Sequence, residues 1–143
     1  MIVKTEKELI ELGKKLGEEI LRGGRFPVVM ELIGDVGAGK TTLTRGIAEG
    51  LGVEEAVSSP SFMISKRYLI PASREFKGGE LVHYDFYRLD EPGLMMNELE
   101  ETLSEKNTVV VVEWGESVRG VLPETTRRIR INYLNDGGRE VKL

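Results

Sequence analysis

Apolar residues recur along this chain at two spacings, and the changes between them mark out its elements. Leu9, Leu12, Leu16 and Ile20 fall three and four apart, one stripe of an α-helix. Thr5 stands three places before Glu8, the T-x-x-E capping box that opens such a helix. The helix is expected to run to about Leu21 and to end at Gly23-Gly24. Val28-Val29-Met30-Glu31-Leu32-Ile33 is instead an almost continuous apolar run, the mark of a buried strand. Helical spacing returns from Thr42 to Leu51 and stops at Gly50 to Gly52.

Beyond that point the pattern is mostly extended. Ser58-Ser59-Pro60-Ser61 has no hydrophobic period and reads as a loop. Strands are expected over Phe62 to Leu69 and Glu80 to Phe86, joined by a polar connection, Pro71 to Gly79, longer than a hairpin turn. Pro92 to Leu103 reads as a helix with Leu94, Met95, Leu99 and Leu103 available for packing. Thr108-Val109-Val110-Val111-Val112 is the clearest buried strand. Ile129, Ile131 and Tyr133 alternate before a turn at Asn135-Asp136-Gly137-Gly138, which predicts a closing hairpin to Leu143. With a short strand at Ile2-Val3-Lys4, the order is one βα start followed by hairpin-like pairs rather than repeated βαβ units. The economical arrangement is an α/β fold with a mixed sheet, parallel at its centre and antiparallel at its edges.

Composition narrows the class. With 143 residues, 40% of them hydrophobic, the chain suits one compact domain, 1–143, and excludes wholesale disorder. No apolar stretch approaches the ~18 residues of a membrane span. The opening Met1-Ile2-Val3-Lys4-Thr5-Glu6 does not begin a secretory signal, so a cytoplasmic protein is expected. The absence of cysteine removes disulfides and thiolate metal sites. A net charge of −4 is a poor basis for gripping nucleic acid directly, so any role with RNA is expected to run through another protein.

The chemistry begins at Gly34-Asp35-Val36-Gly37-Ala38-Gly39-Lys40-Thr41, which fills G-x-x-x-x-G-K-[ST] between the expected strand and helix. Glycines let the loop fold tightly enough for its N–H groups to converge on an anion, with a helix N-terminus behind them. Lys40 brings a mobile positive charge to the outer phosphates of a nucleotide, and the Thr41 hydroxyl is placed to ligate Mg²⁺. This is a phosphate-cradling P-loop, and it predicts a three-layer fold of the P-loop NTPase type.

Hydrolysis also needs a held metal and a positioned water. The Val109–Val112 run ends in Glu113-Trp114, an acidic residue at the end of a buried strand, where an open α/β sheet exposes its ligand crevice. Glu113 is therefore expected to reach Mg²⁺ directly or through a water. Strand alternation puts Val82, Tyr84 and Phe86 on one face and His83, Asp85 and Tyr87 on the other, which is expected to face the crevice. Asp85 can orient or deprotonate the attacking water. His83, the single histidine, is read as a hydrogen-bonded structural residue. Arg88 is open between a phosphate contact and a surface ion pair. Arg127, Arg128 and Arg130 read as the solvated side of a strand. Ser58 to Phe62 follows the P-loop helix where nucleotide switches place a γ-phosphate-sensitive segment.

Together GDVGAGKTT (34–42), SSPSF (58–62), HYDFYRL (83–89) and VVEWGE (111–116) closely resemble the TsaE family, also called YjeE, over nearly the whole chain. The resemblance implies a small cytoplasmic Mg²⁺-dependent ATPase needed to make N6-threonylcarbamoyladenosine at position 37 of tRNA. It implies TsaD and TsaB as partners, with tRNA met only through them. Carried over by motif, Gly37, Ala38, Gly39, Lys40, Thr41 and Thr42 hold ATP phosphates. Thr41 and Glu113 bind Mg²⁺, while Asp85 and Lys40 are the catalytic candidates. Trp114 lies beside the nucleotide, and Thr5 and Glu6 loosely match the adenine-side contact. The family commonly has S-P-T where this chain has Ser59-Pro60-Ser61, which keeps the hydroxyl. Two rivals share the P-loop: a small-molecule kinase, for which the chain has little length to spare, and a non-hydrolysing nucleotide switch. A GTPase is disfavoured because no N-K-x-D segment reads guanine.

Overall fold

A computed structural model of the chain describes residues 1–60, 65–74, 76–87 and 93–143. The elements are β1 (Ile2–Val3), α1 (Glu6–Gly23), β2 (Val28–Ile33), α2 (Lys40–Leu51), β3 (Ser65–Ile70) and β4 (Gly79–Asp85). They continue with α3 (Leu94–Leu103), β5 (Thr108–Glu113), a 3₁₀ segment (Gly115–Val121), β6 (Arg127–Tyr133) and β7 (Arg139–Lys142). At the start of α1 the Thr5 hydroxyl accepts the Glu8 N–H at 3.1 Å. The Glu8 carboxylate reaches back to the Lys4 N–H at 2.7 Å, one residue beyond the N-cap N–H on which a capping box usually closes. The expected strand from Phe62 begins at Ser65, since 61–64 lie outside the described residues, as does Pro92 before α3.

All the strands join one seven-stranded sheet in the order β1-β7-β6-β2-β5-β4-β3. β6, β2, β5 and β4 run parallel to one another, while β1, β7 and β3 attach through antiparallel pairs at the flanks. The expected mixed sheet, parallel at the centre and antiparallel at the edges, is the one observed. Val109 to Val112 of β5 are wholly buried because helices cover both faces there. On one face Met30, Leu32, Val109, Val111, Ile129 and Ile131 pack under α1 and α2. On the other, Val29, Val82, Tyr84, Val110 and Val112 pack under α3 and the 3₁₀ segment.

Leu94 does not join this packing; it is 83% exposed. At 100° per residue it stands about 140° around α3 from the buried Leu99, off the stripe that meets the sheet. Met96, Leu103 and Met95 fill that stripe instead. Polar bonds add to the attachment: Arg67 of β3 donates to Glu98 at 3.0 Å and to Thr102 at 2.7 Å.

α1 and α2 lie in backbone contact. A Cβ on Gly13 would stand 2.5 Å from the Leu43 carbonyl oxygen, and one on Gly17 would stand 2.4 Å from that of Ile47. In return, a Cβ on Gly46 would stand 2.3 Å from the Ile10 oxygen and one on Gly50 would stand 2.1 Å from that of Lys14. Each helix thus offers glycines four apart to the other, 13 and 17 against 46 and 50. The contacts advance together along both chains, so the helices are parallel and their N-termini lie at the same end of the sheet. Glycine inside a helix costs about 1 kcal/mol relative to alanine. Here the cost is offset because no side chain fits between the two backbones.

Gly46→Ala or Gly50→Ala is therefore expected to lower stability by about 1–3 kcal/mol despite the better helix propensity, since backbone atoms cannot rotate aside. Gly23→Ala, with nothing within 4 Å of the added carbon, is expected to be neutral or stabilising. Urea denaturation of the three variants checks the contrast.

Candidate functional site

β2 ends at Ile33 and α2 begins at Lys40, so the P-loop spans 34–39 between a central parallel strand and a helix N-terminus. The loop tightens through an Ala38 N–H to Asp35 carbonyl bond of 3.0 Å. Gly37 and Gly39 sit at φ +80 and +116, where an L side chain is strained. Lys40 is 5% exposed and bends back over its own loop, donating to the Gly34 carbonyl and, at 3.1 Å, to that of Asp35. Its ammonium also lies 4.3 Å from the centre of the Trp114 ring. Burial lowers the pKa of Lys40, opposed by the charges of Glu113, Asp85, Asp35 and Glu116. Thr41 and Thr42 are half-buried in the first turn of α2.

The acidic residues come from the two strands next in line. Leu32 of β2 pairs with Glu113 of β5, and Glu113 pairs with Asp85 of β4. In parallel strands, register partners point to the same face, so both carboxylates stand on the α2 side at the strand ends that adjoin the loop. Glu113 is 3% exposed; its backbone carbonyl accepts the Phe86 N–H at 3.0 Å. Asp85 accepts the Tyr87 N–H at 2.9 Å. Burial raises the pKa of Asp85, and the Glu113 charge adds to the rise against the bond from Tyr87. The chain then turns sharply: Trp114 adopts φ 55, ψ 48, a strained conformation for a bulky residue. That turn brings the indole to 4.8 Å from the Tyr87 ring.

The expectation that His83 faces the crevice is not met. His83 is fully buried beneath the crevice floor, with its Nε2 bonded to the Glu113 carboxylate. It lies on the same sheet face as Asp85 but one pleat further in, where α2 covers the sheet. Arg88, Ser61 and Phe62 lie outside the described residues.

Glu6 is drawn to the loop from the other side. A cavity of about 270 Å³ is lined by Thr5, Glu6, Leu9, Gly39, Thr42 and Arg139, among others. The parallel seating of α1 on α2 produces this, because it sets the first turn of α1 level with the P-loop. Arg139 of β7 donates to the Ala38 carbonyl at 2.7 Å, and Tyr133 of β6 donates its hydroxyl to the Gly37 carbonyl. The Arg139 guanidinium stacks on the Tyr133 ring at 4.1 Å. The closing hairpin therefore braces the P-loop. Tyr133 continues the alternation of Ile129 and Ile131 but, at 51% exposure, does not join the core.

Mg²⁺ takes one or two carboxylates and fills its remaining positions with water and phosphate oxygens. Among the described residues no group of three or more His, Asp or Glu side chains could hold a metal alone. A hydroxyl at Thr41 and a carboxylate at Glu113 form a donor set that fits Mg²⁺ arriving with phosphates, and does not fit a protein-only cage.

The profile of the family described as "Threonylcarbamoyl adenosine biosynthesis protein TsaE" matches residues 3–141. The chain belongs to the TsaE family. It is similar to the tRNA threonylcarbamoyladenosine biosynthesis protein TsaE of Streptomyces coelicolor, with 46% identity over 122 residues, 85% of this chain and 77% of that one. The TsaE protein of Haemophilus influenzae is 33% identical over 99% of this chain and 85% of its own. Among solved structures, the crystal structure of Bacillus subtilis YdiB superposes with a TM-score of 0.67 at 28% identity, covering 99% of this chain and 80% of that chain. The fold is accordingly of the P-loop type. No helix among the described residues of this TsaE-family chain is long and apolar enough to cross a membrane.

One buried charge was invisible to the sequence reading. Glu31, inside the apolar run of β2, is fully buried. Arg128 of β6 reaches it at 3.0 Å and Arg119 of the 3₁₀ segment at 2.9 Å. Arg128 is thus not merely solvated; it ties β6 to β2, while Arg119 ties down the segment that follows Trp114. The signal available was an acidic residue interrupting a buried strand, which must find a partner. The roles of Tyr133 and Arg139 left no comparable mark.

Asp85 gives a stability test. A carboxyl whose folded pKa is raised contributes fully below the ordinary value of 3.8, and that contribution is lost as pH rises through the folded value. Asp85→Asn in the TsaE-family protein is expected to be more stable than wild type at neutral pH, with the gap closing as pH falls toward 3.8. Denaturant titrations across that range check it; an asparagine variant less stable at neutral pH than at acid pH, relative to wild type, contradicts the assigned cause.

Proposed function

We propose that this protein hydrolyses ATP with Mg²⁺, and that it does so in association with TsaD and TsaB during threonylcarbamoyl modification of adenosine 37 in tRNA. The observation that carries the reading is the meeting of the P-loop, Asp85 and Glu113 at adjoining ends of β2, β4 and β5. Phosphoryl transfer to water asks little of the protein beyond positioning and charge stabilisation. Backbone N–H groups from Gly37 to Thr42 hold phosphate oxygens, and the Lys40 ammonium neutralises charge gathering on the outer ones.

Thr41 and Glu113 hold Mg²⁺, which when bound screens phosphate charge and polarises the bond to be broken. Asp85 orients the attacking water and accepts its proton at a carboxylate oxygen; partial burial and the neighbouring Glu113 charge make it a better acceptor than an exposed aspartate. Trp114 and Tyr87 shield that corner. Thr5, Glu6 and Arg139 line the cavity beside the loop, of a size for the nucleoside part of ATP. With a net charge of −4 the chain is a poor direct ligand for tRNA, which supports contact through partner proteins.

The isolated protein is expected to hydrolyse ATP slowly with no acceptor added. Lys40→Ala is expected to cut this by roughly 10²–10³-fold or more, as loss of a preorganised charge donor does. Asp85→Ala is expected to bind ATP while losing hydrolysis. ATP consumption that requires an added acceptor would indicate a kinase instead. Association with a TsaD–TsaB complex is expected to depend on nucleotide; none under any nucleotide condition would remove the pathway assignment.

A further inference from the structure

Among the described ion pairs, His83 with Glu113 is the one in which both side chains are sealed from solvent, at 0% and 4% exposure. On that sheet face Leu81 of β4 and Val109 and Val111 of β5 are apolar and buried, while Lys66 of β3 stands opposite His83. A leucine would fill such a place without burying polar atoms. Yet His83 Nδ1 is buried there with no partner, an arrangement that costs free energy. Its compensation is the Nε2 contact to Glu113 Oε2. Since Nδ1 meets no acceptor, the favoured tautomer carries its hydrogen on Nε2 and donates it to the carboxylate.

We propose that His83 positions Glu113: its Nε2–H bond to one carboxylate oxygen stops the side chain from turning and leaves the other oxygen for the nucleotide-bound cation. No hydrogen bond engages that second oxygen among the described residues, and it is not among the buried unpartnered atoms. The backbone of Glu113 is fixed from the residue that follows β4, by the Phe86 N–H at 3.0 Å. The His83–Phe86 segment therefore anchors Glu113 twice, at its carboxylate and at its carbonyl, with Asp85 between the two anchors. This fits the way outer partners orient metal-ligating groups, a contribution of roughly 10–100-fold in metal affinity. The inference rests on the reading that Glu113 takes Mg²⁺.

Mn²⁺ serves as the probe, titrated by electron paramagnetic resonance into ADP-loaded wild type, His83→Asn and His83→Gln. ADP affinity is measured separately in EDTA. The amide nitrogen of glutamine reaches the place of Nε2, whereas that of asparagine reaches only the place of Nδ1. His83→Asn is expected to weaken Mn²⁺ binding roughly 10–100-fold, with metal-free ADP affinity unchanged. His83→Gln is expected to stay near wild type. A folded asparagine variant that binds Mn²⁺ as tightly as wild type overturns the proposal. So does a folded glutamine variant as weak as asparagine; should asparagine fail to fold, glutamine alone decides. Wild type with ADP that shows no Mn²⁺ site would instead remove the Mg²⁺ reading of Glu113 and this proposal with it.

Discussion

Hydrogen-bonded pairing of three parallel strands is the constraint on which the rest depends. β2, β5 and β4 lie side by side in register, so their C-terminal ends come out together. What each strand carries at or just past its last paired residue is thereby fixed: the glycine loop, the Glu113-Trp114 turn, and Asp85 with Tyr87. None of these side chains has to be brought from a distance. The sheet sets their separation to within a strand spacing of about 4.8 Å, and burial of the valines in β5 keeps the ladder from slipping. A slip of one residue would turn Glu113 and Asp85 to the opposite face, away from α2.

Two further contacts adjust this frame. Glycines let α1 lie against the backbone of α2, which brings Thr5 and Glu6 to the lip of the loop. The closing hairpin of β6 and β7 bonds the loop carbonyls at Gly37 and Ala38. The loop is therefore held on two sides by parts of the chain distant from it in sequence. Glu31 does similar work under the sheet, where its carboxylate joins Arg128 and Arg119 and so fixes the segment leading out of Trp114.

The sequence made legible whatever depends on local chemistry or strand period. The P-loop announced itself by composition, α1 by Thr5 and Glu8, and β5 by its valines. The mixed sheet followed from a βα start and hairpin-like pairs. Features set by long-range contact were not legible. Nothing local distinguishes Tyr133 from another core residue of the alternation; it is half exposed, and its hydroxyl bonds the Gly37 carbonyl 96 residues away in sequence. Glycines at 13, 17, 46 and 50 read as ordinary until the two helices are seen to face each other. Alternation places His83 on the crevice face, yet the structure buries it against the Glu113 carboxylate. Alternation tells the face of a strand and not how far along it the covering helix extends.

Lys40 in the P-loop is bonded to the carbonyls of Gly34 and Asp35 and capped by an indole. An arriving anion does not meet a bare cation; it must win the ammonium from acceptors that already hold it. Association is then an exchange of partners rather than a simple gain, and only the difference between old and new bonds reaches the measured affinity. The loop's own carbonyls act as a resident competitor, and any anion that takes the ammonium must offer better bonds than they do.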